Sequence, residues 1–225
     1  MSFQDFFTPR SVAIVGASRT KGKVGYEIVT GMLRAGFEGD IYPINPKADE
    51  IEGLKCHASL EDLGTAPDLV VIVVPAKAVP AVLRQCVKVG SGHAVVISAG
   101  FREAGEEGAK LEKEAVDVAR RSGIRFVGPN CLGLMCTETK LNASFGGDLP
   151  ETGKISYLSQ SGSILSAILD MSRAERVGFS KLISIGNKAD VDELEVLKGF
   201  GRDPNTQVIA GYLETIADGD AFIRE

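Results

Sequence analysis

The sequence predicts an α/β protein, a doubly wound parallel sheet followed by a second, incomplete α/β domain. Three observations predict it. Short runs of Val, Ile and Leu alternate with segments whose apolar residues recur at helical spacing. The first run leads directly into a glycine-rich turn. From Cys136 to Thr152 the periodicity fails, and beyond it the alternation starts again.

Ser11 to Gly16 reads as the first strand, followed by a helix whose inner stripe carries Val24, Ile28 and Met32. Asp40 to Ile44 is the second strand, stopped by Asn45-Pro46. Leu69 to Val74 is the third, and Val79, Val82, Leu83 and Cys86 mark the buried face of the next helix. Ala94 to Ser98 is the fourth, before a helix from Glu106 to Arg121 that buries Leu111, Ala115 and Val118. Arg125 to Val127 closes the first set ahead of Gly128-Pro129. Asn142, Gly146, Gly147, Pro150 and Gly153 then read as a linker. After it come strands at Lys154 to Ser159, Leu182 to Ile185 and Val208 to Leu213, with helices marked by Ile164, Leu165, Ile168 and Leu169, by Asp192 to Phe200, and by the start at Asp218. Three strands would leave a sheet edge open and a ligand crevice half built.

The chain has 225 residues, with 25 Lys and Arg against 30 Asp and Glu, a formal charge of −5. That mild acidity, without a basic block, argues against nucleic acid or an anionic membrane as the main partner. An apolar share of 44% with 24% charged residues excludes disorder. The 26 glycines point to many tight turns or close backbone contacts with a ligand. Cys56, Cys86, Cys131 and Cys136 lack metal-ligand spacing, so no metal site is expected. The first ten residues lack a basic start with an apolar run, and Leu69 to Val74 is too short to span a bilayer. A reducing, cytoplasmic setting is the expectation.

The first candidate site is the loop Gly16-Ala17-Ser18-Arg19-Thr20-Lys21-Gly22-Lys23-Val24-Gly25, directly after the first strand. A glycine turn opening a helix offers free N–H groups and a positive dipole end to a phosphate, and Arg19, Lys21 and Lys23 add charge. It departs from G-x-G-x-x-G at Ser18, and a plain βα turn with solvated lysines is the competing reading. The second is the turn at Asn45-Pro46-Lys47, where an NAD-binding sheet usually places an acid. A cation there suits a ribose phosphate, either the 3′-phosphate of coenzyme A (CoA) or the 2′-phosphate of NADP; an exposed turn lysine is the alternative.

The third candidate is Ser159-Gln160-Ser161-Gly162-Ser163, a strand end running into a helix. Ser161 or Ser163 would cap that helix, and Gly162 lets an anion approach its amides. A hydrolase elbow requires Gly where Ser159 and Ser163 stand, so that chemistry is excluded. Glu214 ends a strand, at the edge where open sheets gather their sites. Asp190 and Asp192 read as helix caps, Cys131 as a packed small residue, and His57 and His93 as structural.

These segments together resemble one family. Phe7 to Ser18, Asn45-Pro46-Lys47, Ser98 to Glu103, Gly128-Pro129-Asn130-Cys131-Leu132-Gly133, Ser159 to Ser163, Ile185 to Asp192 and Tyr212-Leu213-Glu214 are similar, in order, to NDP-forming acyl-CoA synthetases. That family includes ADP-forming acetyl-CoA synthetases of the alpha type and is related to succinyl-CoA ligase alpha. The resemblance implies a Rossmann-like CoA-binding domain at residues 1–135, a linker at 136–152 and the first part of a flavodoxin-like ligase domain at 153–225. By this resemblance Gly16, Ala17, Ser18, Arg19, Lys21 and Lys23 hold CoA phosphates, with Asn45 and Lys47 at the ribose phosphate. Val74 and Pro75 border the adenine, Ser98, Ala99 and Gly100 flank the pantetheine arm, and Asn130 and Cys131 stand near the thiol.

The reaction implied is acyl-CoA + ADP + phosphate ⇌ acid + CoA + ATP, through an acyl phosphate and a phosphohistidine. Ser161, Gly162 and Ser163 would hold that phosphoryl group and Glu214 the imidazole. No residue of this sequence matches the phosphorylated histidine. ATP, ADP and Mg²⁺ would enter only through an ATP-grasp domain or subunit, and an oligomer acting on a small acyl substrate is expected. Two rival readings are the synthetase-like region of a protein lysine acetyltransferase and a non-catalytic CoA- or NADP-sensing module.

Overall fold

The computed structural model describes residues 2–225. Its first sheet is built from β1 (Ser11–Val15), β2 (Asp40–Ile44), β5 (Leu69–Ile72), β6 (His93–Val96) and β7 (Arg125–Val127), with a small hairpin, β3 (Glu50–Ile51) and β4 (Leu54–Lys55), after β2. These five strands are parallel, in the order β2-β1-β5-β6-β7. Helices α1 (Val24–Ala35), α2 (Val79–Val89) and α3 (Glu106–Ser122) make the crossovers. β1, β5 and β6 are covered on both faces, which is why they read as unbroken apolar runs. From β1 the chain steps one way to β2 and then the other way to β5. The point of reversal therefore lies between β1 and β5, whose carboxyl ends run into Gly16 and Val73.

The helix faces follow the expected stripes except that Val24 of the first helix and Ile164 of the Ile164–Leu169 stripe are exposed and the α3 face is shifted by one residue. α3 buries Gly108, Glu112, Ala115 and Ala119, while Leu111 and Val118 are only partly covered. A carboxylate occupies this face because Glu112 is hydrogen-bonded there, by Asn187 Nδ2 at 2.8 Å.

The second sheet holds five strands. β10 (Thr152–Ser159), β11 (Phe179–Ser184) and β12 (Val208–Tyr212) are parallel, whereas β8 (Gly133–Cys136) and β9 (Leu141–Ser144) are antiparallel additions. Their order is β12-β10-β11-β8-β9. Helices α4 (Gly162–Glu175), α5 (Glu193–Gly201) and α6 (Gly219–Arg224) complete this part. The expected linker at 136–152 and the expected three-stranded sheet are both corrected by β8 and β9. Asn142 and Ser144 hid β9 from the sequence. Both are buried, with Asn142 Nδ2 on Gly147 O at 2.8 Å and Ser144 Oγ on Asn142 Oδ1 at 2.9 Å. Polar residues satisfied in this way are compatible with a covered strand.

β9 lies against α1, where Met32 Sδ accepts the Asn142 N–H at 3.3 Å. One continuous core accordingly runs from Ile14, Ile28 and Met32 through Leu134 and Leu141 to Ile183, Val196 and Phe200. Arg125 on β7 clamps the second sheet's side, giving Nε to Asp190 Oδ2 at 3.0 Å and both terminal nitrogens to Glu195. Asp190 also accepts the Phe126 N–H at 2.8 Å, so it ties a strand end and does not cap a helix. Asp192 does cap α5, accepting Glu195 N–H at 2.9 Å. On β11, Lys181 is 2% exposed and donates to Asp203 Oδ2 at 2.5 Å. All four cysteines are free and buried, and among the described residues no helix is long and apolar enough to cross a membrane.

Candidate functional site

The carboxyl ends of both sheets open onto two adjoining cavities, of about 540 and 800 Å³, that share Val24, Val73 and Val74. The smaller is walled by Gly16, Ala17, Ser18 and Lys23 on one side and by Asn45 and Pro46 on the other. Gly16 sits at φ +96°, and a Cβ there would stand 2.7 Å from Val73 O. A Cβ on Gly25 would overlap Gly16 O, so the start of α1 presses directly on the loop. Asn45 Nδ2 donates to Ala17 O at 2.7 Å, and Asn45 Oδ1 accepts the Lys47 N–H at 2.9 Å. One amide side chain therefore holds the glycine loop and the Lys47 turn in register. Among the described residues no side chain caps the first turn of α1, and its Val24 and Gly25 amides have no acceptor, whereas the Tyr26 N–H donates to Lys23 O at 2.9 Å. Arg19, Lys21 and Lys47 are exposed and outside the cavity wall, with Arg19 Nη2 on Lys47 O at 3.3 Å.

The larger cavity brings together Ser98, Ala99, Asn130, Cys131, Ser161 and Glu214, residues from both sheets. Val74 lies where the cavities join, while Pro75 and Gly100 stand outside their walls. Ser98 Oγ donates to Val74 O at 2.5 Å, which locks the ends of β5 and β6 together. Burial pushes the Cys131 thiol up to about 12, and its Sγ contacts Val96 O at 3.3 Å. It stays protonated at neutral pH and is a wall residue, as the sequence indicated.

Ser161 resolves the capping question: its Oγ accepts the Ile164 N–H at 3.3 Å, leaving Gly162 and Ser163 in the first turn of α4 facing the cavity. Gln160 lay inside the third candidate segment, but nothing in the sequence assigned it a role of its own. Its Oε1 accepts the N–H of Glu214 at 3.0 Å and of Thr215 at 3.1 Å, and so joins the α4 start to the Glu214 loop. A buried pair supports the same loop from beneath. Lys188 Nζ donates to Thr215 O at 2.7 Å and pairs with Glu193 Oε2 at 2.8 Å, while Glu193 Oε1 accepts the Ala217 N–H at 2.8 Å. Glu214 itself is exposed in the wall.

Asn187 and Gly186, also without an assigned role, bring the second sheet's loop onto the first sheet. Asn187 N–H donates to Pro129 O at 2.9 Å, and a Cβ on Gly186 would overlap Asn130 O. Their signal was the Ile185 to Asp192 segment, which carried the family resemblance but in which only Asp190 and Asp192 were given a role. Neither histidine lines the cavity. His93 is buried against Phe6, and that burial outweighs the pull of Asp5 and lowers its pKa; His57 packs edge-on to Tyr42. A glycine loop with free amides, a second helix start and a carboxylate thus stand along two adjoining cavities, an arrangement with room for an extended ligand.

A profile of the CoA binding domain matches residues 10–137, more than half of the chain, and one of the succinyl-CoA ligase like flavodoxin domain matches residues 152–225. The chain belongs to the CoA-binding domain family. This CoA-binding chain is 48% identical to an ADP-forming acetate–CoA ligase I of Archaeoglobus fulgidus over 97% of its own length and 32% of the relative's. It is 42% identical to the alpha subunit of the ADP-forming acetate–CoA ligase I of Pyrococcus furiosus, covering 99% of this chain and 49% of that one. Among solved structures it is similar to the dinucleotide-forming acetyl-coenzyme A synthetase 1 of Ca. Korarchaeum cryptofilum in complex with phosphate and ADP. The TM-score is 0.95 at 41% identity, over 99% of this chain and 48% of that one. The CoA-binding chain thus spans half or less of the length of these relatives.

Proposed function

We propose that this chain is the CoA-binding portion of an ADP-forming acid–CoA ligase, whose reaction is acyl-CoA + ADP + phosphate ⇌ acid + CoA + ATP. The observation that carries the reading is the meeting of the two cavities at Val24, Val73 and Val74. CoA would lie through both, its phosphates on the Gly16 loop and the start of α1, its 3′-phosphate toward Lys47, and its thiol beside Asn130 and Cys131. At the far end the free amides of α4 and the Ser163 hydroxyl would hold a phosphoryl group, while Glu214 would accept a hydrogen bond from the imidazole that carries it. The helix dipole there favours negative charge, so the site would stabilise phosphate before and after its transfer.

That imidazole belongs to a residue other than His57 and His93. Nucleotide and Mg²⁺ would be handled by an ATP-grasp partner, in an oligomer acting on a small acid. Four free, buried cysteines favour a reducing, cytoplasmic setting.

Calorimetric titration with CoA, dephospho-CoA and NADPH side by side tests the reading. CoA should bind more tightly than both, and a preference for NADPH would overturn the proposal. Lys47→Ala should weaken CoA by about 1.5–3 kcal/mol through loss of a charged hydrogen bond to phosphate, and leave dephospho-CoA unchanged. Equal losses for the two ligands would remove Lys47 from the 3′-phosphate. Mixed with ATP, Mg²⁺, acetate and CoA, the chain alone should produce no acetyl-CoA; turnover would show that a phosphoryl carrier exists within it.

A further inference from the structure

We propose that Glu103 is a positioning residue for the thiol arm of CoA, an inference that rests on the CoA reading above. Glu103 follows the Ser98-Ala99-Gly100 arm and turns its carboxylate back onto it. Oε1 accepts the Gly100 N–H at 2.6 Å and the Phe101 N–H at 3.1 Å. Oε2 reaches the other sheet's loop and accepts Asn187 Nδ2–H at 2.6 Å. Asn187 passes the constraint on, since its Oδ1 accepts Asn130 Nδ2–H at 3.3 Å and its carbonyl accepts from Arg102. Backbone bonds already join the Asn130 loop to Ser98 O and to the Asn187 loop, and this carboxylate closes the set by tying the far end of the arm, Gly100 and Phe101, to Asn187.

The arm needs such a hold. Gly100 stands at φ +104°, and its neighbour Ala99 is exposed in the cavity wall. Without Glu103 the two arm amides lose their acceptor, and the arm is left with one backbone bond to the loop that would face the thiol, from Asn130 N–H to Ser98 O at 3.0 Å. Glu112, buried on α3, shares Asn187 Nδ2 and lies 3.5 Å from Arg102 Nη1, so the amide keeps its place when Glu103 is changed but the arm does not. A local turn cap would explain Oε1 alone. The Oε2 contact across 84 residues is what makes Glu103 a link between walls.

The test compares CoA with adenosine 3′,5′-bisphosphate, which has the phosphate end and lacks the arm. Glu103→Ala should weaken CoA about tenfold, the loss of one charged hydrogen-bond set, and leave the bisphosphate within about twofold of wild type. Glu103→Gln keeps an oxygen for the arm amides but turns an NH2 toward Asn187 Nδ2. It should stay about threefold or more weaker than wild type for CoA, and full recovery would reduce Glu103 to a local turn cap and overturn the proposal. Equal weakening of both ligands in Glu103→Ala, or no loss of CoA, would overturn the proposal. A wild-type chain that binds the bisphosphate but gains nothing from the rest of CoA would overturn it as well. A wild-type chain that binds neither ligand would sink the CoA reading itself, before any variant is made.

Discussion

Glu193→Ala is expected to lower the unfolding free energy by about 3–5 kcal/mol, the usual loss when one partner of a buried ion pair is removed. The side chain of Glu193 is 2% exposed and that of Lys188 8%, and the remaining partner of Lys188 Nζ is a backbone carbonyl, Thr215 O. The variant leaves an ammonium buried without a counter-charge and also orphans the Ala217 amide. Denaturant unfolding at pH 7 measures it, and a change below about 1 kcal/mol would show that water reaches Lys188.

The same pair has a pH signature. Burial acts to raise the pKa of Glu193, but hydrogen bonds from Lys188 and the Ala217 amide outweigh it, and the net shift is downward from 4.5. Asp203 is lowered from 3.8 in the same way, burial again being outweighed, here by Lys181 and Thr206. A carboxylate with a depressed folded pKa contributes stability that is complete above its unfolded value and lost as pH falls through the folded one. Stability should therefore decline steeply as pH falls below about 4, and Glu193→Ala should flatten that decline.

Gly25→Ala is the second large effect: CoA binding should fall by about a hundredfold, the scale of loss when binding groups are displaced by an ångström. The new Cβ would overlap the Gly16 carbonyl, and neither backbone can yield without moving α1 away from the glycine loop. The accompanying overpacking costs about 1–3 kcal/mol, so the variant should still fold. Titration with CoA, with circular dichroism as the control for folding, checks it. Wild-type affinity would mean that the phosphates do not rest on this loop.

These expectations separate what the sequence discloses from what it hides. The strands of the first sheet were readable because Leu69–Ile72 and His93–Val96 are buried on both faces, and an apolar run that short fits a doubly covered strand and is too brief for a buried helix. β9 was not readable, because Asn142 and Ser144 satisfy each other inside the fold while looking like loop residues in the sequence. The Ser161 cap is local, its donor and acceptor three residues apart, and the glycine loop announces itself by its run of glycines after a strand although Asn45 holds it from 28 residues away. Gln160, Asn187 and Glu103 act through contacts that span 54 to 84 residues, and spacing carries no trace of those. Glu112 shows the limit from the other side: helical spacing located the buried face of α3 to within one residue but could not predict a carboxylate on it.

The packing of β9 against α1 has a consequence for ligand choice. The glycine loop sits at one end of α1, and the Ser161 turn sits on the sheet that β9 belongs to, so the two adjoining cavities are mounted on a single packed frame. On the CoA reading proposed above, such a frame would act as a gauge: it would accept a carrier whose reactive group lies one set distance from its phosphates, and a shorter or longer arm would find the anchor at one end and miss the chemistry at the other.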